Sequence, residues 1–206
     1  MDSLMFDFQE VGGAVPAHRH INPDGTVGGW VANTATVSET AYVGENAQVF
    51  GIAFVFEKGR ILDNAEVFDY ASICGNAEVF GDAKAFGNTI VCGRAKVFDG
   101  AEVYGNAMVF DQAEIFGNAK VFGNAEVFDN AKVFDDAEVF DNAKVFDDVK
   151  VFGNAEVFGD TQVSENAKVF GNAKVFDNAE VFDDAEVYGT AKVSGDTQVS
   201  GNDKVF

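Results

Sequence analysis

Cysteine, histidine and positive charge are all scarce in this chain. Its 206 residues include only 2 Cys and 2 His. Two cysteines in a chain of this size do not describe a disulfide-built secreted fold. Both histidines, His18 and His20, lie near the start, which leaves the rest of the chain without an imidazole base. No Ser/His/Asp arrangement, phosphate-cradling glycine loop or metal motif stands out. The reading therefore assigns no catalytic residue, no metal and no cofactor. Lys and Arg number 14 against 34 Asp and Glu, a net charge of −20. Free duplex DNA and anionic membranes would be repelled by it, whereas basic proteins and divalent cations would be drawn to it. No apolar run approaches the ~20 residues that span a bilayer, and residues 1–30 lack a charged-then-apolar signal pattern. The expectation is a soluble, cytoplasmic protein.

What is present is apolar residue, 47% of the chain, arranged on one period. Such a composition is too hydrophobic for disorder. Ala35, Ala41, Ala47 and Ala53 are six apart, and the register holds to Asp203 over 29 consecutive hexads. Ala119-Lys120-Val121-Phe122-Gly123-Asn124 is representative. The first slot is Ala except at Gly59, Thr89, Val149, Thr161, Thr197 and Asp203. The third is Val except at Ile61, Ile73, Ile115 and Ala85, the fourth is mostly Phe, and the last two are Gly, Asp or Asn. Each hexad reads as a short strand and a corner. Strand side chains alternate between faces, so Ala and Val share one side while the Lys/Glu slot and the Phe slot share the other. Unpaired Lys and Glu cannot fill a narrow core, which puts Ala and Val inside. At the corners, Gly and Asn tolerate positive φ most cheaply. A six-residue period does not follow a 3.6-residue helical turn.

The number of hexads per coil follows from charge. Stacked residues on adjacent rungs lie ~4.8 Å apart, where opposite charges attract and like charges repel. Scored from Glu66 onward, second-slot pairs 18 residues apart are opposite far more often than like, as in Glu66/Lys84, Lys84/Glu102 and Glu102/Lys120. Spacings of 12 and 24 favour like pairs. Three hexads per coil predict an all-β, three-sided parallel β-helix of between nine and ten coils. At this point Gly28-Gly29-Trp30 followed by a long run of Val-Phe-Gly-Asn-Ala resembles the bacterial hexapeptide-repeat proteins, and among them the YdcK-type branch. The resemblance covers residues 28–206 and implies a left-handed helix. Some of those relatives are acyltransferases with a histidine base on a coil near an interrupting loop. This chain has neither, so no catalytic residue carries over, and acyltransferase activity stands only as an alternative.

Residues 1–33 form an N-terminal cap segment and 34–206 the solenoid. Met5, Phe6, Phe8, Val11 and Trp30 are the expected cap, since a solenoid must hide its terminal rung. His18, Arg19 and His20 are assigned to the capping loop. At the other end Asp203 places a charge in an inward slot and would discourage further stacking; the competing reading is end-to-end pairing of rods. Outward, Phe50, Phe68, Phe86, Tyr104, Phe122, Phe140, Phe158 and Phe176 form one ladder. Phe80, Phe98, Phe116, Phe134, Phe152, Phe170, Tyr188 and Phe206 form another. The ladders stiffen the rod by stacking and also offer apolar strips for self-association. The third face is broken by Cys74, Cys92, Ser164 and Ser200. Cys74 and Cys92 fall on adjacent rungs at a spacing somewhat long for the ~3.8 Å between disulfide Cβ atoms, which predicts two free thiols.

On the edge after that broken face, Asp111, Asp129, Asp147, Glu165 and Asp183 occupy five successive rungs, with Asp148 and Asp184 beside them. Three readings stay open: turn residues in water, a calcium ladder, and a binding edge for a basic protein. The third is the functional expectation, an acidic scaffold or protein-binding rod without catalysis. In its sharpest form it is a DNA mimic, a phage-type inhibitor of a basic host protein. A self-assembling structural rod, an oligomer through its Phe faces or its C-terminal end, is the remaining alternative.

Overall fold

The computed structural model describes residues 4–9 and 12–206. It is all-β among those residues, and the six-residue period is its architecture. Each hexad contributes a two-residue strand, as at Lys120–Val121 and Glu126–Val127. Strands pair in parallel with those 18 residues away, Glu66 with Lys84, Lys84 with Glu102 and Glu102 with Lys120. Three flat sheets result, each with ten parallel rungs. The count of three sides, argued from charge alone, is therefore the observed one. We call the sheets the capped face, the cysteine face and the lysine face.

Burial follows the slots. Val121, Ala119, Val127 and Ile115 are fully buried, as is nearly every first- and third-slot residue. Each buried valine is worth about 1.5–3 kcal/mol over its exposed state, and the core repeats that gain at every corner-to-corner segment. Two buried polar residues take Ala slots and are satisfied there. Thr89 donates to the Ala107 carbonyl at 2.7 Å and Thr161 to the Phe158 carbonyl at 2.7 Å, as buried hydroxyls require.

The N-terminal segment builds on the capped face. Strands β1 (Leu4–Phe6) and β2 (Val15–Ile21) pair antiparallel, and β2 pairs antiparallel with β3 (Val27–Ala32). Strand β3 then pairs in parallel with Gln48–Val49, Val31 opposite Val49, so this face gains its first rung ahead of the repeat signature. Of the expected cap, Phe6 stacks on Trp30 at 4.5 Å and Phe8 on Phe50 at 4.8 Å, which extends the aromatic ladder over its end. Met5 is instead exposed, and Val11 lies outside the described residues.

Side chains finish the cap on the lysine face, where the first rung presents bare backbone. The Asn22 amide accepts from Val43 N–H at 2.9 Å and donates to the Val43 carbonyl at 3.2 Å, as a neighbouring strand would. His20 Nε2 donates to the Ala41 carbonyl at 3.2 Å and the Arg19 guanidinium to the Glu45 carbonyl at 3.1 Å. These contacts satisfy carbonyls that would otherwise be edge groups.

Candidate functional site: an acidic edge

From Gly51 onward every corner turns on its first residue. Gly117, Gly123 and Gly171 have φ of +70°, +71° and +75°, and Asp63, Asp99 and Asp135 take the same left-handed backbone at +53°, +58° and +60°. The second corner residue does not, which corrects the expectation that asparagine there supplies positive φ. Those asparagines instead hydrogen-bond one another along the rod. Asn88 donates to Asn106, Asn106 to Asn124, Asn124 to Asn142 and Asn142 to Asp160, at 2.9–3.1 Å. Each amide is both donor and acceptor, so a stack of them at rung spacing satisfies itself.

Corner aspartates have a matching job on two edges. On the edge between the lysine and capped faces, Asp63, Gly81, Asp99, Gly117, Asp135 and Gly153 alternate. The Asp63, Asp99 and Asp135 carboxylates accept from Gly81, Gly117 and Gly153 N–H at 3.1–3.3 Å. Between the capped and cysteine faces, Asp69 and Asp177 bind Gly87 and Gly195 N–H in the same way. Beyond the Glu45/Asp63 pair of the first coils, no two acids occupy consecutive first-corner positions on either of these edges. Carboxylates one rung apart, ~4.8 Å, repel, and glycine spaces them.

The third edge abandons that spacing. Asp111, Asp129, Asp147, Glu165 and Asp183 follow one another without a glycine, at φ of +59°, +57°, +60°, +62° and +60°. All five are exposed or half-exposed, as are Asp148 and Asp184 beside them. Asp147 accepts from Glu165 N–H at 3.0 Å and Asp183 from Gly201 N–H at 2.9 Å. Hydrogen bonding to the Asp183 carboxylate, reinforced by the charges of Asp183 and Asp147, raises the pKa of Glu165 from its ordinary value. The structure thus assembles the acidic site residues named from sequence into one row. Among the described residues no three His, Cys, Asp or Glu side chains are grouped to hold a metal ion.

The other sequence-named residues fall as follows. Phe122, Phe140, Phe158 and Phe176 stack on the capped face with ring centroids 4.7–5.1 Å apart. Phe116, Phe134, Phe152 and Phe170 stack on the lysine face at 4.8–4.9 Å. Cys74 and Cys92 are bridged, with Cα atoms 4.6 Å apart, which corrects the expectation of free thiols. Parallel in-register strands bring the two α-carbons inside the 4.4–6.8 Å that disulfides span. His18 Nδ1 donates to the Asn33 side-chain oxygen at 2.9 Å, and His20 is held on the first coil. The role of Asn22 had no sequence signal beyond the turn-forming run Asn22-Pro23-Asp24-Gly25.

Fold and repeat together define a three-sided parallel β-solenoid with 18-residue coils, built from hexapeptide repeats. No protein-family model matches the chain and no curated protein matches its sequence. Among the described residues no helix is long and apolar enough to cross a membrane.

Proposed function

We propose that this chain is a non-catalytic binding rod whose acidic edge takes a basic protein. The observation that supports it is the unspaced run Asp111–Asp183. On the other two edges no acid follows another beyond Asp63, and five aspartates there accept the N–H of the next corner glycine. Here five carboxylates stack in left-handed backbone with no glycine between them, and the neighbouring Asp183 raises the pKa of Glu165. Turn formation alone does not call for this arrangement. A linear array of basic side chains would relieve it, with the gain expected of complementary charge at an interface. The sharper form is a mimic of the nucleic-acid backbone that occupies the binding surface of a basic host protein, as a phage-type inhibitor would. Likeness to the left-handed hexapeptide-repeat proteins, YdcK-type included, adds nothing to this reading, since fold does not carry function.

The test is capture from lysate by the wild type and by a variant with Asp111→Asn, Asp129→Asn, Asp147→Asn and Asp183→Asn. Asparagine tolerates left-handed backbone and keeps an acceptor oxygen, so the variant retains its corners. A basic protein held only by the wild type, and released as salt screens the charges, supports the acidic edge. Equal capture by both, or none by either, returns these residues to the turns.

A further inference from the structure

The lysine face carries an unbroken ladder of eight rings, Phe80 to Phe206. On the capped face Phe8 covers the end of the ladder, and the cysteine face is interrupted by the disulfide and by Ser164 and Ser200. On the lysine face seven rings from Phe80 to Tyr188 are half-buried and Phe206 is exposed. Beside these rings runs a charge row, Glu78, Lys96, Glu114, Lys132, Lys150, Lys168, Glu186 and Lys204, one residue per rung. Lys132 pairs with Glu114 and Lys168 with Glu186. Lys150 lies between two lysines.

We infer that this face binds a second copy of the chain, with the two rods antiparallel. The argument is one of symmetry. A two-fold axis lying between the faces and across the rods sets ring row on ring row and charge row on reversed charge row. A two-fold along the rods would lay the lysines of each copy on the phenylalanines of the other, burying charge without a partner. In the antiparallel arrangement centred between the Lys132 and Lys150 rungs, all eight aromatic rungs meet, Phe80 opposite Phe206 and Phe134 opposite Phe152. Glu78 then faces Lys204 of the second copy, Lys96 faces Glu186, and Glu114 faces Lys168. The remaining cross-pair, Lys132 with Lys150, is like-charged and lies beside Asp129, Asp147 and Asp148 of both copies. A one-rung shift toward the C-terminal end makes like pairs of Lys96/Lys204, Glu114/Glu186 and Lys132/Lys168, so the charge row excludes that register. Eight rungs of ~4.8 Å by roughly 15 Å of face bury about 600 Å² per copy, enough for a specific dimer.

The experiment is sedimentation equilibrium over a concentration series near 0.15 M salt, where distant repulsion is screened and contact pairs persist. The wild type is expected to form a concentration-dependent dimer. Glu114→Lys and Lys168→Glu, each alone, set like charges opposite one another twice per dimer and raise the dissociation constant by about tenfold or more. Mixed in equal amounts, the two variants restore both pairs and dimerise with each other in preference to themselves. A wild type that stays monomeric, or a mixture no more associated than its components, overturns the inference. Asp111→Asn with Asp183→Asn, which leaves Asp129 and Asp147 beside the Lys132/Lys150 pair, serves as a control: it is expected to dimerise as the wild type does, which separates this surface from the proposed partner site.

Discussion

At the scale of single residues, the N-terminal cap rests on a few polar side chains that stand in for a missing strand. His20 is one of them. Burial lowers its pKa below 6.5, with the Ala41 carbonyl opposing the shift and His18 adding to it. The unfolded chain therefore takes up a proton near pH 6.5 while the folded cap resists, and stability is lost as the pH falls from that value toward the folded pKa. Trp30, the only tryptophan, lies in this cap against Phe6, and its fluorescence reports it directly. We expect a transition in that signal as the pH drops below about 6.5, and His20→Gln should remove it. Cys74 and Cys92 give a second test. Thiol titration of the unfolded, unreduced protein should find no free thiol. Reduction, or Cys74→Ser with Cys92→Ser, should remove about 3 kcal/mol, the stabilisation expected for a closed loop of this length. Reading from sequence placed His20 in the cap but missed the disulfide, because the bridge depends on atoms from adjacent coils and no periodicity marks it.

Corners and rungs are the elements, and here the sequence was legible in part. Ala and Val slots, the 18-residue stacking and the two ring ladders all follow from alternation and charge, and all are present. The corner chemistry was not legible, because Gly-Asn and Asp-Asn allow positive φ at either residue and only the backbone bonds between rungs choose the first. That choice makes glycine and acid at the same position unequal. Glu165 occupies left-handed backbone within the carboxylate row. Glu165→Gly should raise Tm by a few degrees, since it relieves both the backbone strain and the stacked charge. In the opposite sense, a β-carbon added at Gly123, where φ is +71°, would sit 2.8 Å from the Asp141 backbone nitrogen. Gly123→Ala should cost about 1–2 kcal/mol. Thermal melts by circular dichroism measure both. If Glu165→Gly lowered Tm, the carboxylate row would be stabilising in its own right, and the case for an external partner would weaken.

At the scale of the whole molecule, contacts are made only with the coil before and the coil after. Stability in such a rod is close to a sum over coils and their interfaces. Excising residues 119–136, one complete coil, leaves Tyr104 to stack on Phe140 and Phe116 on Phe152, while Glu102 meets Glu138. The shortened chain should fold to the same β spectrum and melt in one transition, several degrees lower. A collapse of the β signal would show that this coil is needed for folding in a way its equivalence to the others does not explain.

The amino-acid sequence by itself determined the repeat, the inward and outward slots, the three sides and the place of the acidic row. Those are properties of a one-dimensional period, and alternation, hydrophobicity and charge act on them locally. Tertiary structure decided the rest: which corner residue turns, that Asp63 caps Gly81 while Glu165 crowds Asp183, that the cysteines join, and that Asn22 and His20 close the first coil. Each of these is a contact across the 4.8 Å between rungs, where distance and direction, not residue type, set the outcome.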